Sequence, residues 1–519
     1  MALSRSEGKN NRGPLGQVVQ PAGQSNRFDM TANSSAIVIG SGFGGLALAI
    51  RLQSAGIATT IVEARDRPGG RAYVWKQDGY TFDAGPTVIT DPDCLEELWA
   101  LSGSRMADDV TLLPVKPFYR LLWNDGTRFD YSNNDAQLNA EIAKLDPADV
   151  AGYAKFLEYS KGVYEEGYLK LGAVPFLNFS QMLKAAPALA RYQAWRSVYS
   201  VVSGFVRNEK LRQVLSFHSL LVGGNPMKTS SIYALIHRLE KLGGVWFAKG
   251  GTSALVEGMV ALFERLGGTM LLNEKVAQIT HAGKQVTGVV TASGKVLTAD
   301  RVASNGDLVH SYGLISGSDY AARKVKSLHR KRFSPSLFVV HFGLNGSFPD
   351  IAHHSILFSD RYGPLLDDIY KHGKLPADPS IYLHHPTATD PDMSPAGKAA
   401  FYALAPVPHM GRAPVDWAIE GPRYQRVVLD RIRDQLIPDL DEQLDTCFHY
   451  TPQDFHDDLG AHLGSAFSLE PVLTQSAWFR GHNRDDNFSN LYFVGAGTHP
   501  GAGIPGVVGS AKATASLIV

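Results

Sequence analysis

The 519-residue sequence predicts an α/β protein. Three observations predict this fold class. Short runs of β-branched and apolar residues, of the kind that a parallel sheet buries on both faces, alternate with helical segments of roughly ten or more residues. One such run ends in a glycine-rich turn near residue 40, and another ends in a second glycine-rich turn near residue 495. These two turns stand close to opposite ends of the chain.

The composition excludes several classes of protein. Lysine plus arginine total 50, as do aspartate plus glutamate, so we expect no nucleic-acid partner. The two cysteines, Cys94 and Cys447, form no CxxC pair, which argues against a disulfide or zinc site and suits a reducing, cytoplasmic setting. Residues 1–35 are polar and predict a disordered leader. The sequence lacks a run of about 18 apolar residues, so we expect no transmembrane helix.

The first glycine-rich turn belongs to a strand–turn–helix–strand sequence. Residues 36–39 (AIVI) predict a buried strand, residues 40–45 (GSGFGG) a turn that a pyrophosphate can approach, and residues 46–55 a helix whose free amides face the phosphates. A second strand at residues 59–62 ends in an acidic residue that can accept ribose hydroxyls. This order predicts a Rossmann-like dinucleotide site. Its candidate residues are Gly40, Gly42, Phe43, Gly44, Gly45, Glu63 and Ala64.

The next motif, residues 68–71 (PGGR), discriminates between nucleotide cofactors. Residues 63–71 resemble the ribose-binding acid and the GGR element of the large FAD superfamily that includes the amine oxidases. The resemblance implies that Gly69, Gly70 and Arg71 lie along the diphosphate and the flavin. Because a guanidinium meets phosphate oxygens in a bidentate manner, Arg71 is the candidate phosphate ligand. We therefore expect FAD as the cofactor.

The second glycine-rich turn lies close to the end of the chain. Residues 491–494 (LYFV) predict a strand that enters this turn, and residues 510–515 predict a helix. In the FAD superfamily this segment returns to the nucleotide domain and sets a helix N-terminus beside the flavin, where the helix dipole stabilises the anionic reduced ring. The resemblance thus implies that both ends of the chain hold FAD. The candidate residues are Gly495, Ala496, Thr498, Gly503, Ile504, Pro505 and Val507.

The segment before residue 305 also belongs to the predicted nucleotide domain. Residues 253–266 predict a helix and residues 270–273 a strand, which we expect residues 276–279 to continue. In the superfamily, the backbone at the position of Val276 contacts the adenine. A hairpin at residues 286–297 and a short strand at residues 301–305 follow.

These assignments predict three structural regions after the leader. The FAD-binding domain is discontinuous and the substrate-binding domain, a mixed α+β unit, is inserted into it. A helical, membrane-associating subregion completes the chain. The FAD-binding domain comprises residues 36–105, 240–312 and 480–519, the substrate-binding domain residues 106–150 and 313–479, and the helical region residues 151–239.

Further motifs resemble one family within the superfamily, the bacterial and fungal phytoene desaturases, and its lycopene-forming bacterial type in particular. They occur in that family's order and extend over nearly the whole chain. The motifs are residues 80–92 (YTFDAGPTVITDP), 117–123 (PFYRLLW), 217–226 (FHSLLVGGNP), 405–411 (APVPHMG), 464–478 (GSAFSLEPVLTQSAW) and 494–505 (VGAGTHPGAGIP).

The resemblance implies an FAD-dependent dehydrogenation of 15-cis-phytoene, by successive steps through phytofluene, zeta-carotene and neurosporene to lycopene. At each step the flavin accepts a hydride while a proton leaves the adjacent carbon. A hydrocarbon offers neither charge nor hydrogen bonds, so its site must be an apolar channel that selects by shape. Oxygen or a quinone is the expected electron acceptor, because no second glycine fingerprint for a nicotinamide nucleotide follows a strand.

Candidate catalytic residues outside the flavin motifs are His218 and Glu470, two ionisable residues in apolar surroundings where a perturbed pKa can serve proton transfer. A core or capping hydrogen bond is the alternative role for each. The adjacent pairs His353–His354 and His384–His385 have side chains that diverge along a strand, and we expect them at the surface. Since neither cysteines nor carboxylates stand at ligand spacing from His409 and His499, we expect no metal site.

Residues 167–206 are the candidate for contact with the membrane, where phytoene is dissolved. They mix large apolar and aromatic residues with cations, which is typical of an interfacial segment. Lys184 and Arg191 share a helical face, but Arg196 falls among apolar positions. A helix that covers the substrate domain is the alternative interpretation. We predict a cytoplasmic protein that binds the membrane peripherally.

Other functions remain open from the sequence. Within the carotenoid enzymes, these are a desaturase that stops at neurosporene or zeta-carotene, an isomerase and a ketolase, because the motifs do not reveal the channel length that limits the number of steps. A remote alternative is a non-enzymatic prenyl-lipid carrier of the same fold. Such carriers lack an intact flavin fingerprint, whereas this chain keeps the glycine loop, Glu63, Arg71 and the C-terminal glycine segment.

Overall fold

A computed structural model of the chain describes residues 34–519. Most of the predicted leader, residues 1–33, lies outside the described residues, whereas Ser35 already begins the first strand. The strands are β1 (Ser35–Ile39), β2 (Ala58–Val62), β3 (Val74–Gln77), β4 (Tyr80–Asp83), β5 (Leu112–Pro114), β6 (Tyr119–Leu122), β7 (Arg128–Tyr131), β8 (Trp246–Ala248), β9 (Thr269–Leu271), β10 (Val276–Ala282), β11 (Gln285–Thr291), β12 (Val296–Thr298), β13 (Arg301–Ser304), β14 (Ser336–Asn345), β15 (His354–Leu357), β16 (Ile381–His384), β17 (Lys398–Val407), β18 (Leu444–Tyr450) and β19 (Leu491–Phe493).

The α-helices alternate with these strands at both ends of the chain and cluster in its middle. They are α1 (Phe43–Ser54), α2 (Pro92–Ala100), α3 (Asp135–Leu145), α4 (Asp149–Tyr164), α5 (Phe179–Arg191), α6 (Val198–Val202), α7 (Glu209–Ser216), α8 (Leu235–Gly243), α9 (Thr252–Arg265), α10 (Leu308–Gly313), α11 (Asp319–Leu328), α12 (Tyr362–Asp367), α13 (Trp417–Gln435), α14 (Leu440–Gln443), α15 (Pro452–Leu459) and α16 (Ile504–Ala515).

A five-stranded parallel sheet forms the first structural unit, with strand order β19-β13-β1-β2-β9. Its strands come from widely separated parts of the chain, as the resemblance to the FAD superfamily implies. The central run Ala36–Val38 is fully buried, because helices cover both faces of a parallel sheet. α1 packs against α9 and against the C-terminal α16. The sheet therefore joins the two ends of the chain around one core.

The expectation that residues 276–279 continue the preceding strand is wrong. β9 ends at Leu271, and the chain turns at Asn273, which adopts a left-handed conformation with φ of 58°. The Asn273 amide donates to the carbonyl of Arg65 rather than to a sheet neighbour. β10 consequently begins a separate antiparallel sheet with β11 and β12. Its first residue, Val276, is buried beside the edge of the parallel sheet.

A seven-stranded mixed sheet forms the second unit, with strand order β18-β14-β17-β16-β15-β6-β7. Successive side chains point to opposite faces of a strand, and β14 follows this rule. Phe338 and Val340 pack with α13 on one face, whereas Leu337 and Val339 belong to the core on the other face. The sheet thus separates a helix-covered layer from a layer that faces the first unit.

Helices dominate the part of the chain between β7 and β8. α4 continues into a π-helical turn at Glu165–Lys170, and α5 to α8 follow. Within residues 34–519, no helix is both long enough and apolar enough to cross a bilayer.

The prediction that the paired histidines lie at the surface is wrong. His353, His354, His384 and His385 are all buried, with at most 3% of each exposed. The reason is that β15 and β16 are interior strands of the seven-stranded sheet, with neighbours on both sides. The alternation along a strand does separate His384 from His385, but both faces of this sheet are covered. The fold therefore places four histidines in its interior.

Close packing at Gly343 generates a prediction about stability. A Cβ atom at this position of β14 would lie 2.4 Å from the ring of Tyr80, whose side chain is fully buried and whose hydroxyl donates to Asp445. We expect Gly343→Ala to lower the free energy of unfolding by about 1–3 kcal/mol. Gly363→Ala is the control, because no atom lies within 4 Å of its added Cβ, and should leave stability equal or slightly higher. Urea unfolding curves that coincide for Gly343→Ala and the parent protein would contradict this packing.

Candidate functional site

A cavity of 1120 Å³ lies between the parallel sheet and the seven-stranded sheet. One end is lined by the two glycine-rich turns and by the residues that follow β2 and β13. The other end is lined by side chains of the seven-stranded sheet and of the helical region. Of the 18 predicted cofactor residues, 15 line this cavity, namely Gly40, Gly42, Phe43, Gly44, Glu63, Ala64, Gly69, Gly70, Arg71, Val276, Ala496, Gly503, Ile504, Pro505 and Val507.

The first glycine loop forms a backbone cradle at the start of α1. A Cβ atom on Gly42 or Gly44 would lie 2.9 or 2.7 Å from the side chain of Asn305. Gly45 does not line the cavity, but its added Cβ would stand 2.1 Å from the carbonyl oxygen of Gly40. The loop can therefore only close if these positions lack side chains. The closure exposes the N-terminus of α1, a site of positive potential, to the cavity.

Glu63 is buried at the carboxyl end of β2 and is held by the same loop. Its Oε2 accepts hydrogen bonds from the backbone amide and the hydroxyl of Ser41, at 2.8 and 2.5 Å. Its Oε1 accepts one bond from the amide of Arg65, at 3.0 Å. A carboxylate oxygen can accept more than one bond, so Oε1 retains capacity for a ribose hydroxyl. The contacts with Ser41 fix the orientation of this acceptor.

Arg71 lies where its loop crosses the glycine cradle. Gly69 pairs with Gly42 in a parallel bridge, which brings the GGR element against the first turn. Arg71 Nη2 donates to the carbonyl of Ser465 at 3.3 Å, while Nε has no hydrogen-bond partner among residues 34–519. Burial lowers the pKa of Arg71, and the carboxylate of Asp307 opposes this shift. A buried guanidinium with a spare donor suits an anionic ligand.

The C-terminal segment closes the cradle from the other side. Arg480 is buried and donates through Nε and Nη2 to the carbonyl of Ala496, at 3.2 and 2.6 Å, which fixes the turn between β19 and α16. Gly495 and Thr498 do not line the cavity. The Thr498 hydroxyl donates to the carbonyl of Gly495 and lies 2.6 Å from that of Ser510. These two predicted residues hold the turn in shape rather than face the cavity.

Sequence reasoning missed three residues of the cradle, namely Asn305, Asp307 and Arg480. Asn305 lies against both glycine-rich turns, since an added Cβ on Gly495 would stand 2.6 Å from its Oδ1. Ligands of open α/β sheets bind at the carboxyl ends of the strands, so the position of Asn305 and Asp307 directly after β13 was a usable signal. No local pattern distinguishes Arg480 from a surface arginine.

The residues at this end of the cavity fit the diphosphate and ribose of FAD. Three features support the fit: a glycine loop packed too closely to admit side chains, a buried arginine with an unused donor, and a carboxylate with an unused lone pair. The N-terminus of α16 begins with Gly503, Ile504 and Pro505 and faces the cavity from the opposite side. The charged lining residues concentrate at this end, where a charged nucleotide requires them.

The other end of the cavity is largely apolar. Its aliphatic and aromatic lining comes from the seven-stranded sheet, from the helical region and from loops beside them. It includes Phe217, Leu220, Leu221, Leu235, Ile236, Leu239, Leu337, Ile356, Phe358, Leu404 and Phe467. Tyrosine hydroxyls supply much of its polarity. Burial raises the pKa of Tyr119, Tyr382 and Tyr402, which therefore stay neutral at physiological pH. This end suits a hydrocarbon.

The two predicted catalytic residues do not line the cavity. His218 is buried behind its wall, with Nε2 3.0 Å from Oε2 of Glu240. Glu240 does line the cavity, and its Oε1 accepts a bond from the Tyr119 hydroxyl at 2.8 Å. Glu470 forms an ion pair with Arg332 at 2.5 Å; burial raises the pKa of its carboxyl, and Arg332 opposes that shift. A role of either residue in proton transfer stays a prediction.

The glycine cradle predicts a specific loss of cofactor. Gly44→Ala places a Cβ 3.1 Å from the backbone of Gly495 and 2.7 Å from Asn305, so the two turns must separate. We expect FAD affinity to fall at least roughly tenfold, because the phosphates lose their backbone donors. Flavin absorbance relative to protein and quenching of flavin fluorescence measure this loss. Gly313→Ala, at an exposed position with no atom within 4 Å, should retain the parent affinity, and equal affinity in Gly44→Ala would contradict the assignment.

Comparisons with known proteins agree with this geometry. The family model described as flavin containing amine oxidoreductase matches residues 43–519. A lycopene-forming phytoene desaturase of Paracoccus sp. strain N81106 is 62% identical over 489 residues, which cover 94% of this chain and 98% of that protein. A neurosporene-forming phytoene desaturase of Cereibacter sphaeroides is 42% identical, over 93% of this chain and 94% of that protein.

Among solved structures, a redesigned putrescine oxidase has a similar fold. The TM-score is 0.63 at 16% identity, and the alignment covers 94% of this chain and 98% of that one. This likeness concerns the fold alone. The family match extends over nearly all the residues from the glycine cradle to the C-terminus. The chain therefore belongs to the flavin containing amine oxidoreductase family, and FAD is its cofactor.

Proposed function

We propose that this protein is an FAD-dependent phytoene desaturase that converts 15-cis-phytoene to lycopene by successive dehydrogenations. The observation that carries the proposal is the continuity of the cavity, which joins a nucleotide cradle to a long apolar chamber. Bound FAD supplies the hydride acceptor. The surrounding side chains have to orient the substrate and keep water away from the reacting carbons.

The lining of the apolar chamber suits a long hydrocarbon. Such a substrate gains binding energy mainly from the apolar surface that it buries, at about 25 cal/mol per Å². Neutral tyrosines, such as Tyr382 and Tyr402, add polarity to the wall without adding charge. A developing allylic cation would therefore be shielded from water by aliphatic and aromatic groups. The chamber can select its substrate by length and shape.

Similarity to known relatives supports lycopene as the end product. The lycopene-forming relative from Paracoccus is 62% identical, against 42% for the neurosporene-forming one from Cereibacter. The alignment with the Paracoccus relative covers nearly the full length of both chains, so the segments that form the chamber lie within the aligned region. The carrier alternative is disfavoured because the whole nucleotide cradle is in place.

The decisive experiment is the incubation of purified protein and FAD with phytoene in liposomes, followed by absorption spectra of the extracted pigments. We expect the three-banded spectrum of red lycopene. Accumulation of yellow neurosporene or zeta-carotene would establish an earlier end product, and unchanged phytoene would overturn the function. We further propose oxygen or a quinone as the electron acceptor. The same assay under argon, with and without added quinone, distinguishes the two.

We also propose that the protein binds membranes peripherally through the helical region. Large apolar side chains at Leu169, Phe179, Leu183 and Trp195 are between 49% and 66% exposed. These four side chains define the apolar patch. Exposed apolar residues concentrated in one segment mark an interaction surface.

The patch lies beside the cavity. On α5, Phe179 and Leu183 are exposed, whereas Met182, Ala185 and Leu189 on an adjacent face of the helix line the cavity. Lys184 and Arg191 are exposed on a third face, as cations at a membrane interface should be. Arg196 does not join them, because its guanidinium donates to Ser200 and Gln193. A substrate leaving the bilayer at this patch would have a short path to the chamber.

The apolar patch predicts the effect of charge on membrane binding. We expect the double variant Leu183→Asp, Trp195→Asp to co-sediment with phosphatidylglycerol-containing liposomes at least roughly tenfold less than the parent protein, since two apolar side chains no longer enter the interface. The matched control is Leu242→Asp, Ile419→Asp, at similarly exposed positions outside residues 167–206, and should bind normally. Flavin content verifies folding. Equal sedimentation of both double variants would contradict the patch as the docking surface.

A further inference from the structure

We propose that His353, His354 and His384 form a binding site for a divalent transition-metal ion such as Zn²⁺. The three imidazoles are buried, and one nitrogen of each lies within 4.8 Å of the others. We call these residues the histidine triad. The proposal does not depend on the substrate of the enzyme.

The sheet brings the histidine triad together. His354 in β15 and His384 in β16 are directly paired antiparallel neighbours, whose rings lie 5.5 Å apart. His353 precedes β15 at a bend, so the strict alternation of side chains does not apply to it. Its ring lies 4.4 Å from that of His354 and 4.8 Å from that of His384. Three imidazoles from two chain segments thus lie close enough together to face a common position.

Two histidines of the triad, His353 and His354, have the hydrogen bonds that metal-ligating histidines typically have. His353 Nδ1 bonds to the hydroxyl of Thr389 at 2.6 Å, and His354 Nδ1 bonds to the hydroxyl of Tyr382 at 2.7 Å. In the described part of the chain, the Nε2 atoms of both residues and both ring nitrogens of His384 have no hydrogen-bond partner. Metal-ligating histidines typically bond outward through one nitrogen and bind the ion through the other.

Leaving these nitrogens unpaired would be costly. Each buried polar atom without a partner costs about 1–3 kcal/mol, and four such atoms lie within this small volume. An ion bound at about 2.0–2.1 Å from three imidazole nitrogens would hold those nitrogens roughly 3.4 Å apart, whereas the structure places them within 4.8 Å of one another, so the rings have to move closer when the ion binds. Imidazole ligands favour zinc, copper, nickel, cobalt or iron over magnesium or calcium.

A carboxylate stands next to the triad. Asp83 Oδ1 accepts the amide of Thr252 at 2.8 Å, while Oδ2 has no hydrogen-bond partner within residues 34–519 and lies 3.8 Å from Nε2 of His384. Asp83 can therefore orient His384 or supply a fourth ligand, and in either role its charge offsets part of that of the ion.

A second buried group, His218, His237 and Glu240, is a weaker candidate. The ring nitrogens of His237 are both engaged, one with the hydroxyl of Tyr131 and the other with the carbonyl of Leu215, each at 2.8 Å. This histidine cannot bind a metal without losing one of those bonds. The histidine triad has no such conflict.

The site adjoins the wall of the cavity. Tyr382 lines the cavity and bonds to His354, and its hydroxyl lies 3.1 Å from that of Thr87, which also lines the cavity. An ion at the triad would fix the position of His354 and therefore of Tyr382. We assign the ion a structural role that ties β15 to β16 behind the substrate chamber.

The test is metal analysis of the FAD-loaded protein, purified without a histidine tag. We expect inductively coupled plasma mass spectrometry to find close to one equivalent of a transition metal per chain. The metal content should be at least roughly tenfold lower in His353→Gln and in His384→Gln. His385→Gln is the matched control. Its imidazole is buried next to His384, but bonds to the carbonyl of Ile351 and stacks on Phe401, outside the triad. It should keep the full metal content.

A second measurement uses the parent protein alone, in case a variant fails to fold. After removal of metal with dipicolinate, Co²⁺ should restore one equivalent with the visible absorption bands of a four-coordinate site, and Zn²⁺ should raise the melting temperature and displace Co²⁺. The proposal is overturned if the parent protein contains no stoichiometric metal and takes up neither ion. It is equally overturned if His353→Gln and His384→Gln retain the parent metal content.

Discussion

The parallel pairing of β13 between β1 and β19 is the interaction on which the rest of the structure depends. It joins three chain segments that lie far apart in the sequence and aligns their carboxyl ends. At that edge the glycine loop, Asn305 and the turn after β19 come into contact, so close that Gly44 admits no side chain. Without this register neither helix N-terminus would face the cofactor. The inserted segments could then not be positioned over the flavin.

The cavity separates two kinds of chemistry. At the nucleotide end, charged groups are held by specific partners, as Glu63 is by Ser41 and Arg71 by the carbonyl of Ser465. At the other end, alternate side chains of the seven-stranded sheet supply an apolar wall in which tyrosines remain neutral. This division is possible because successive side chains of a strand point to opposite faces of the sheet. One face of the seven-stranded sheet packs against α13, and the other faces the chamber.

The sequence predicted those parts of the site whose chemistry is local along the chain. Three features lie within about 35 residues: the strand, turn and helix around Gly40, the acid at residue 63, and the GGR element. Their spacing can therefore be recognised in the sequence. The histidine pairs were wrongly predicted to lie at the surface. The sequence of an interior strand that carries polar residues does not differ recognisably from that of a surface strand. His218 was singled out for its apolar surroundings, yet of the contacting pair His218 and Glu240 only Glu240 lines the cavity. Glu240 lies on a helix with an ordinary amphipathic pattern.

By itself the sequence determined the strand–turn–helix–strand unit of the nucleotide site, because its glycine and acid positions obey short-range backbone geometry, and its motifs carried the resemblance that implied FAD, the family and the discontinuous α/β fold. Only the tertiary structure decided which side chains share a space. His353 and His384 meet because two antiparallel strands adopt one register, and Arg480 holds Ala496 because a loop folds back on the C-terminal turn. Such contacts depend on how elements pack, and packing at close density is a property of the whole chain rather than of any local pattern.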